Sequence, residues 1–128
     1  MFTLEHIGLA AKDPNALRAW YERVLGAQLV WDIAKDPPAV LITLGGTIIE
    51  IYSADSAHDA TRNNKVAGWR HLALRVDSIE HAKNLLIDRG VEFTEPVKPA
   101  GGGGRVLFFN DPEGNLLHLV ERLSVGFQ

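Results

Sequence analysis

Two stretches, EHIGLAAKDPNALRAWYERVLGAQLV (residues 5–30) and RHLALRVDSIEHAKNLLIDRGVEFT (residues 70–94), repeat one pattern within the chain. When they are aligned, His6 falls on His71. Each stretch has the pattern of a short strand followed by an amphipathic helix. An internal repeat of this length indicates two related structural modules in one chain.

Both predicted helices carry boundary signals. Asp13 can cap the first helix and Gly26 can end it. The second helix is predicted to begin at Asp77 or Ser78, with Glu80 available for a capping box. These signals place one helix directly after the first strand of each module.

Three strand candidates follow each helix. They are AQLVWDI (27–33), AVLITLG (39–45) and TIIEIYS (47–53) in the first module, and VEFTE (91–95), RVLFFN (105–110) and NLLHLVER (115–122) in the second. The chain therefore reads as β-α-β-β-β written twice, an α+β fold. We predict one domain, residues 1–128, with module one at about 1–56 and module two at about 68–123.

Composition narrows the class of function. The 128 residues contain no cysteine, so disulfides and thiolate chemistry are excluded, and a metal would need His, Asp or Glu ligands. A net charge of -3 argues against nucleic acid or an anionic membrane surface as a partner. The N-terminal sequence lacks the pattern of a secretory signal, and no apolar stretch is long enough to cross a bilayer. We therefore expect a soluble cytoplasmic domain.

Side chains alternate between the two faces of a strand. In EHIGLA, TIIEIYS, RHLALRV and NLLHLVE one face is aliphatic, and the other carries a histidine or a glutamate among mostly small or apolar residues. These groups are His6, Glu50, His71 and His118. An isolated histidine on a strand is more often structural, but four matching positions favour one shared site. Three imidazole nitrogens and a carboxylate oxygen suit Zn, Ni, Co or Fe(II) better than Mg or Ca, so we predict one bound divalent ion.

Other polar side chains are assigned by the same alternation. Glu121 shares the parity of the aliphatic face and is expected to be a solvated residue at the strand end. Tyr52 and Arg75 share the face of the predicted site and are candidate substrate contacts. Arg105 follows four glycines, a stretch that could form a lid over an anionic group or a flexible connection between strands. His58 and His81 are expected to face solvent.

Four ordered segments carry a family resemblance. EHIGLAAKD, TIIEIYS, GWRHLALRVDSIEHA and FFNDPEGNLLHLVE resemble segments of the vicinal oxygen chelate superfamily, the glyoxalase/bleomycin resistance/dioxygenase fold. The resemblance implies two βαβββ modules forming a curved mixed sheet around a metal-binding cavity. It also implies ligands at His6, Glu50, His71 and position 118, and a homodimer whose metal site lies within one chain or across the interface.

The chain departs from the family pattern in two ways. The fourth ligand in metal-binding relatives is most often glutamate, whereas this chain has His118. Glutathione-dependent relatives carry an arginine and an asparagine where this chain has Ala10 and Ala54, which argues against glutathione dependence.

The predicted function is a glyoxalase-like lyase or isomerase acting on a small substrate chelated through vicinal oxygens, with Glu50 or His118 moving the proton. Two alternatives stay open. One is an Fe(II) extradiol-type dioxygenase that uses His6, His71 and Glu50. The other is a metal-free binding or resistance protein.

Overall fold

A computed structural model describes residues 1–57 and 62–123 of the chain. It divides into two compact units, Met1–His58 and Asp59–Gln128. The expectation for His58 lies outside the described residues, whereas His81 is exposed on its helix, as predicted.

The first unit contains one helix and one four-stranded sheet. Its elements are β1 (Ile7–Ala11), α1 (Pro14–Leu25), β2 (Gln28–Asp32), β3 (Ala39–Leu44) and β4 (Thr47–Ser53). The strand order is β1-β4-β3-β2, with β1 parallel to β4 and the other pairs antiparallel.

The second unit repeats this arrangement. Its elements are β5 (His71–Arg75), α2 (Ile79–Asp88), β6 (Lys98–Pro99), β7 (Arg105–Asn110) and β8 (Leu116–Glu121). The strand order is β5-β8-β7-β6, and again the first strand is parallel to the last. The prediction of two β-α-β-β-β modules is confirmed, and their strands form two mixed sheets of four. No helix in the described parts of the chain is long and apolar enough to cross a membrane.

The helix ends follow local capping chemistry. Asp13 caps α1 by accepting a hydrogen bond from the backbone N–H of Ala16 at 3.1 Å, and Gly26 ends the helix in the left-handed conformation. Ser78 caps α2 by accepting from the N–H of His81 at 3.2 Å. The capping box predicted for Glu80 is wrong, because His81 occupies the third helical position when Ser78 is the cap.

One predicted strand does not form. Residues 91–95 have no strand pairing, and the only strand between α2 and β7 is the short β6. Val91 is buried and the Phe93 ring packs against Phe109 at 5.6 Å, so these two side chains pack against the core without strand pairing. Pro96 and Pro99 have no N–H to donate, which keeps the pairing with β7 short.

The helix of each unit covers one face of its sheet. Leu17, Tyr21 and Val24 of α1 are buried. Helix α1 packs against β3 and β4, and α2 packs against β7 and β8. Each fully buried aliphatic side chain stabilises the fold by about 1.5–3 kcal/mol. This packing leaves the opposite face of each sheet without a helix of its own unit.

Candidate metal centre

The four predicted ligands occupy equivalent positions in the two units. Where β1 runs parallel to β4, Gly8 is the register partner of Glu50. Where β5 runs parallel to β8, Ala73 is the register partner of His118. His6 and His71 lie two residues before Gly8 and Ala73. The internal repeat therefore places one pair of candidate ligands on each sheet.

The pair of the first unit consists of an imidazole and a carboxylate. His6 Nε2 lies 3.9 Å from Glu50 Oε1, and the Glu50 side chain is 31% exposed. On the other side of the ring, His6 Nδ1 is hydrogen-bonded to Glu5 Oε1. A carboxylate only accepts hydrogen bonds, so Nδ1 is the donor. In the neutral ring, the lone pair of His6 is therefore on Nε2, the nitrogen nearer Glu50.

The pair of the second unit consists of two imidazoles. The rings of His71 and His118 lie 4.7 Å apart between centroids, and Phe108 lies 4.7 Å from His118 on its other side. His71 Nδ1 is 2.7 Å from Asn64 Oδ1, and His118 Nδ1 is 3.2 Å from the carbonyl oxygen of Leu119. Both partners are acceptors, so both Nδ1 atoms donate.

Burial distinguishes His118 from the other two histidines. Its side chain is buried beside Phe108 and His71, whereas His6 and His71 are exposed in the described chain. Desolvation lowers the pKa of His118 below its usual value. The hydrogen bond with the Leu119 carbonyl raises this pKa, whereas nearby His71 and Arg122 lower it further. The lowered pKa favours the neutral ring, the form in which an imidazole can bind a metal.

The donor set fits a divalent metal by chemical type. All three histidines use Nδ1 for a hydrogen bond, so each neutral ring offers Nε2 as a lone-pair donor. Nitrogen and carboxylate donors suit zinc and later first-row transition metals. Among residues 1–57 and 62–123, no three His, Asp or Glu side chains gather as a preformed metal-binding group. The ligand assignment therefore stays a prediction, supported by the His6–Glu50 pair in one unit and the His71–His118 pair in the other.

Two predicted substrate contacts lie on the same faces as these pairs. Tyr52 is 39% exposed, and its ring leans over Gly8: a Cβ at Gly8 would lie 3.3 Å from Tyr52 Cε1. The missing side chain at Gly8 therefore makes room for the aromatic ring beside Glu50. Arg75 is exposed on β5, two positions beyond Ala73. Their contact with substrate stays a prediction.

Arg105 has a different environment. It pairs across the sheet with Glu121, whose side chain is 18% exposed and accepts from Arg105 Nη2 at 2.9 Å. Arg105 also binds both carboxylate oxygens of Glu80 on α2. The predicted substrate role of Arg105 is untested, but these two carboxylates favour a structural role.

The same network corrects one prediction about Glu121. Its Oε2 accepts from the backbone N–H of Ile79 at 2.9 Å, so Glu121 points toward α2, as its parity predicts. The prediction that Glu121 is a solvated residue is wrong, because its carboxylate is bound by Arg105 and by the Ile79 N–H. The Ile79 N–H and the Arg105 guanidinium together hold the pKa of Glu121 below its usual value.

Sequence reasoning missed the residues that orient the histidines. Glu5 is adjacent to His6, so an acidic neighbour was visible in the sequence. Asn64 precedes His71 by seven residues in an irregular segment, and no periodic pattern relates them.

Comparisons with known proteins agree with this architecture. The family model for the Glyoxalase/Bleomycin resistance protein/Dioxygenase superfamily matches residues 3–119. The uncharacterized protein YwkD of Bacillus subtilis (strain 168) is 30% identical over 125 residues, which are 94% of this chain and 97% of YwkD. A mitochondrial methylmalonyl-CoA epimerase of Dictyostelium discoideum is 26% identical, with 93% of this chain and 78% of the epimerase covered.

A solved structure shares the fold. It is the structure of a mutant of the fosfomycin resistance protein FosX of Listeria monocytogenes, complexed with Mn(II) and 1S,2S-dihydroxypropylphosphonic acid. This structure superimposes on the present chain with a TM-score of 0.72. The two sequences are 23% identical, and the match covers 95% of this chain and 91% of the FosX chain.

Proposed function

Because the chain belongs to the glyoxalase/bleomycin resistance protein/dioxygenase superfamily, we propose that it is a metal-dependent isomerase or lyase of the glyoxalase type. Its substrate would be a small molecule with two adjacent oxygens and an acidic C–H bond. Relatives include an epimerase, and a structural neighbour was crystallised with Mn(II), so both the metal and the proton-transfer chemistry have support.

His6, Glu50, His71 and His118 would supply the ligands of one divalent ion. The observation that carries this assignment is the shared use of Nδ1 for hydrogen bonding, which leaves Nε2 of each neutral histidine as the donor atom. Zinc, nickel, cobalt and iron are the candidates for this donor set. When bound, the ion would act as a Lewis acid on the paired oxygens of the substrate.

Glu50 is the better candidate for moving the proton. The neutral ring of His118 has its lone pair only on Nε2, because Nδ1 donates to Leu119, and one nitrogen serves either a metal or a proton. A carboxylate has two oxygens, so Glu50 can bind with one and exchange a proton at the other. Its partial exposure leaves it accessible to a substrate. Tyr52, which leans over the neighbouring Gly8, would help to position that substrate.

Solvent exchange tests this role without requiring the natural product. The protein, loaded in turn with each candidate metal, is incubated in deuterated water with methylmalonyl-CoA and with small 2-oxo and 2-hydroxy acids. NMR then measures deuterium entering the C–H position beside the carbonyl group. We expect metal-dependent exchange with at least one of these substrates.

The matched variants are Glu50→Gln and Glu92→Gln. Glu92 is exposed in the second unit, so its change controls for the loss of one carboxylate. Removal of a general base typically lowers the rate by about 10²–10⁴-fold, and we expect a loss in this range for Glu50→Gln alone. Equal exchange rates in the two variants would refute the role of Glu50. Tight binding of a probe without metal or exchange would instead support a metal-free binding protein.

We also propose a homodimer. Every residue of β2 is exposed, including Leu29, Val30 and Trp31, and β2 is the terminal strand of its sheet. An exposed apolar edge strand is a common place for chains to associate. Light scattering should give the mass of two chains, and a Trp31→Glu variant should shift the protein toward the monomer. A monomeric parent protein at micromolar concentration would contradict this proposal.

A further inference from the structure

Asn64 is the side chain that contacts His71 at the ring edge opposite Nε2. Its Oδ1 lies 2.7 Å from His71 Nδ1. An amide oxygen accepts hydrogen bonds and has no proton to donate, so the proton between them belongs to His71 Nδ1. This contact selects one of the two neutral tautomers of His71 and fixes the plane of its ring.

The backbone around Asn64 is held by a turn. The Asn63 carbonyl oxygen accepts from the N–H of Val66 at 3.2 Å, and Asn63 Oδ1 accepts from the N–H of Lys65 at 3.0 Å. Asn64 lies inside this turn, so its backbone is held by hydrogen bonds between the residues on both sides of it.

A second contact ties the same segment to the strand that carries His118. A Cβ at the buried Gly114 would lie 2.7 Å from Arg62 Nε, so the Arg62 side chain occupies the space that glycine leaves open. Gly114 belongs to the turn directly before β8 and has a φ of +87°, where L residues are strained. The segment bearing Asn64 is thus anchored at Arg62 to the β7–β8 turn.

We infer that Asn64 is a positioning residue that keeps His71 in the tautomer whose Nε2 is free to bind the metal. This inference rests on the proposed function, because it assigns His71 Nε2 as a ligand atom. Glu5 and the Leu119 carbonyl serve the same purpose for the other two histidines. Asn64 is the informative one to test, because it is uncharged and is not itself a ligand. Removing it leaves every ligand and the net charge unchanged.

Loss of such an orienting partner typically lowers metal affinity by about 10–100-fold. We expect Asn64→Ala to weaken Co²⁺ binding by a factor in this range. Asn64→Asp keeps an acceptor oxygen and should retain affinity within about threefold of the parent protein. Asn84→Ala is the matched control, because Asn84 is exposed on α2.

Two measurements are made on the full chain. Titration with Co²⁺, followed by its visible absorption, gives the affinity for each protein. Ring ¹⁵N NMR of the metal-free proteins reports which nitrogen of His71 carries the proton. In the parent protein and in Asn64→Asp we expect the proton on Nδ1, and in Asn64→Ala a shift of population toward Nε2–H. Circular dichroism confirms that the variants are folded.

The two proposals fail in different ways. If the parent protein does not bind Co²⁺, the proposed metal site is refuted, while the NMR spectra still decide whether Asn64 sets the tautomer. If Asn64→Ala binds Co²⁺ as tightly as Asn84→Ala, or keeps the proton on Nδ1, the positioning role of Asn64 is refuted and the metal site stands. A loss of affinity that Asn64→Asp does not restore would also count against it.

Discussion

The adjacent glycines Gly103 and Gly104 provide a matched test of how the β6–β7 connection is built. Their φ angles are +92° and +95°, so alanine at either position is strained by about 1–2 kcal/mol. A Cβ at Gly103 meets nothing within 4 Å, whereas a Cβ at Gly104 would lie 1.9 Å from the carbonyl oxygen of Glu121. The conformational strain is similar at the two sites, but only Gly104→Ala collides with a neighbouring strand.

The collision at Gly104 cannot be relieved by rotating a side chain. The obstructing atom is backbone, and Glu121 is held by its pairing with Arg105 and by the N–H of Ile79. Forcing an extra group into such a contact typically costs about 1–3 kcal/mol or more. We therefore expect Gly103→Ala to lower the free energy of unfolding by about 1–2 kcal/mol, and Gly104→Ala to lower it by about 2–5 kcal/mol.

Urea unfolding of the metal-free proteins, followed by circular dichroism, measures both values. The same residue is introduced twice, so its effect on the unfolded chain cancels in the comparison. A Gly104→Ala variant within about 0.5 kcal/mol of Gly103→Ala would refute the tight packing of this connection against β8. It would favour a flexible four-glycine connection.

Three further predictions concern pH, the Tyr52 contact and the metal. The pKa of Glu121 is lowered in the folded protein, so its stabilising effect is present above its unfolded pKa and is lost as the pH falls through its folded pKa. The urea midpoint should therefore fall more steeply below about pH 4.5 in the parent protein than in Glu121→Gln. Parallel curves for the two proteins would contradict this prediction. Gly8→Ala should push the Tyr52 ring aside and raise KM in the exchange assay by about threefold or more, whereas an unchanged KM would remove Tyr52 from the substrate site. Removing the metal with a chelator should abolish exchange. It should also lower Tm, because a ligand present at 100 times its Kd stabilises a folded protein by about 2.7 kcal/mol. Full activity in the chelated protein would refute metal dependence.

Much of the fold follows from local patterns in the sequence. Asp13 and Gly26 bound α1 because capping depends on a few neighbouring residues. The alternation of side chains correctly placed Glu121 on the side of α2, because β8 runs without a bulge through its paired residues. The internal repeat predicted the two β-α-β-β-β modules, since equivalent sequences adopt equivalent elements.

Features that depend on tertiary contacts were less accessible. The 91–95 segment looks like a strand, but the packing of Phe93 on Phe109 gives it another role. The partners of Arg105 are Glu80 and Glu121, which lie 25 and 16 residues away in the chain. Asn64 meets His71 only because a turn brings its side chain there. Residue spacing alone carries no information about such contacts.

The central claim is that the three histidines and Glu50 bind a divalent metal. Elemental analysis of protein purified without an affinity tag tests it most directly, with His118→Ala and the exposed-site control His81→Ala measured beside the parent protein. We predict about one divalent ion per chain in the parent protein and in His81→Ala, and a clear loss in His118→Ala. Metal retained in His118→Ala would remove His118 from the ligand set. No metal in the parent protein, even after loading with zinc, nickel, cobalt or iron, would contradict the account.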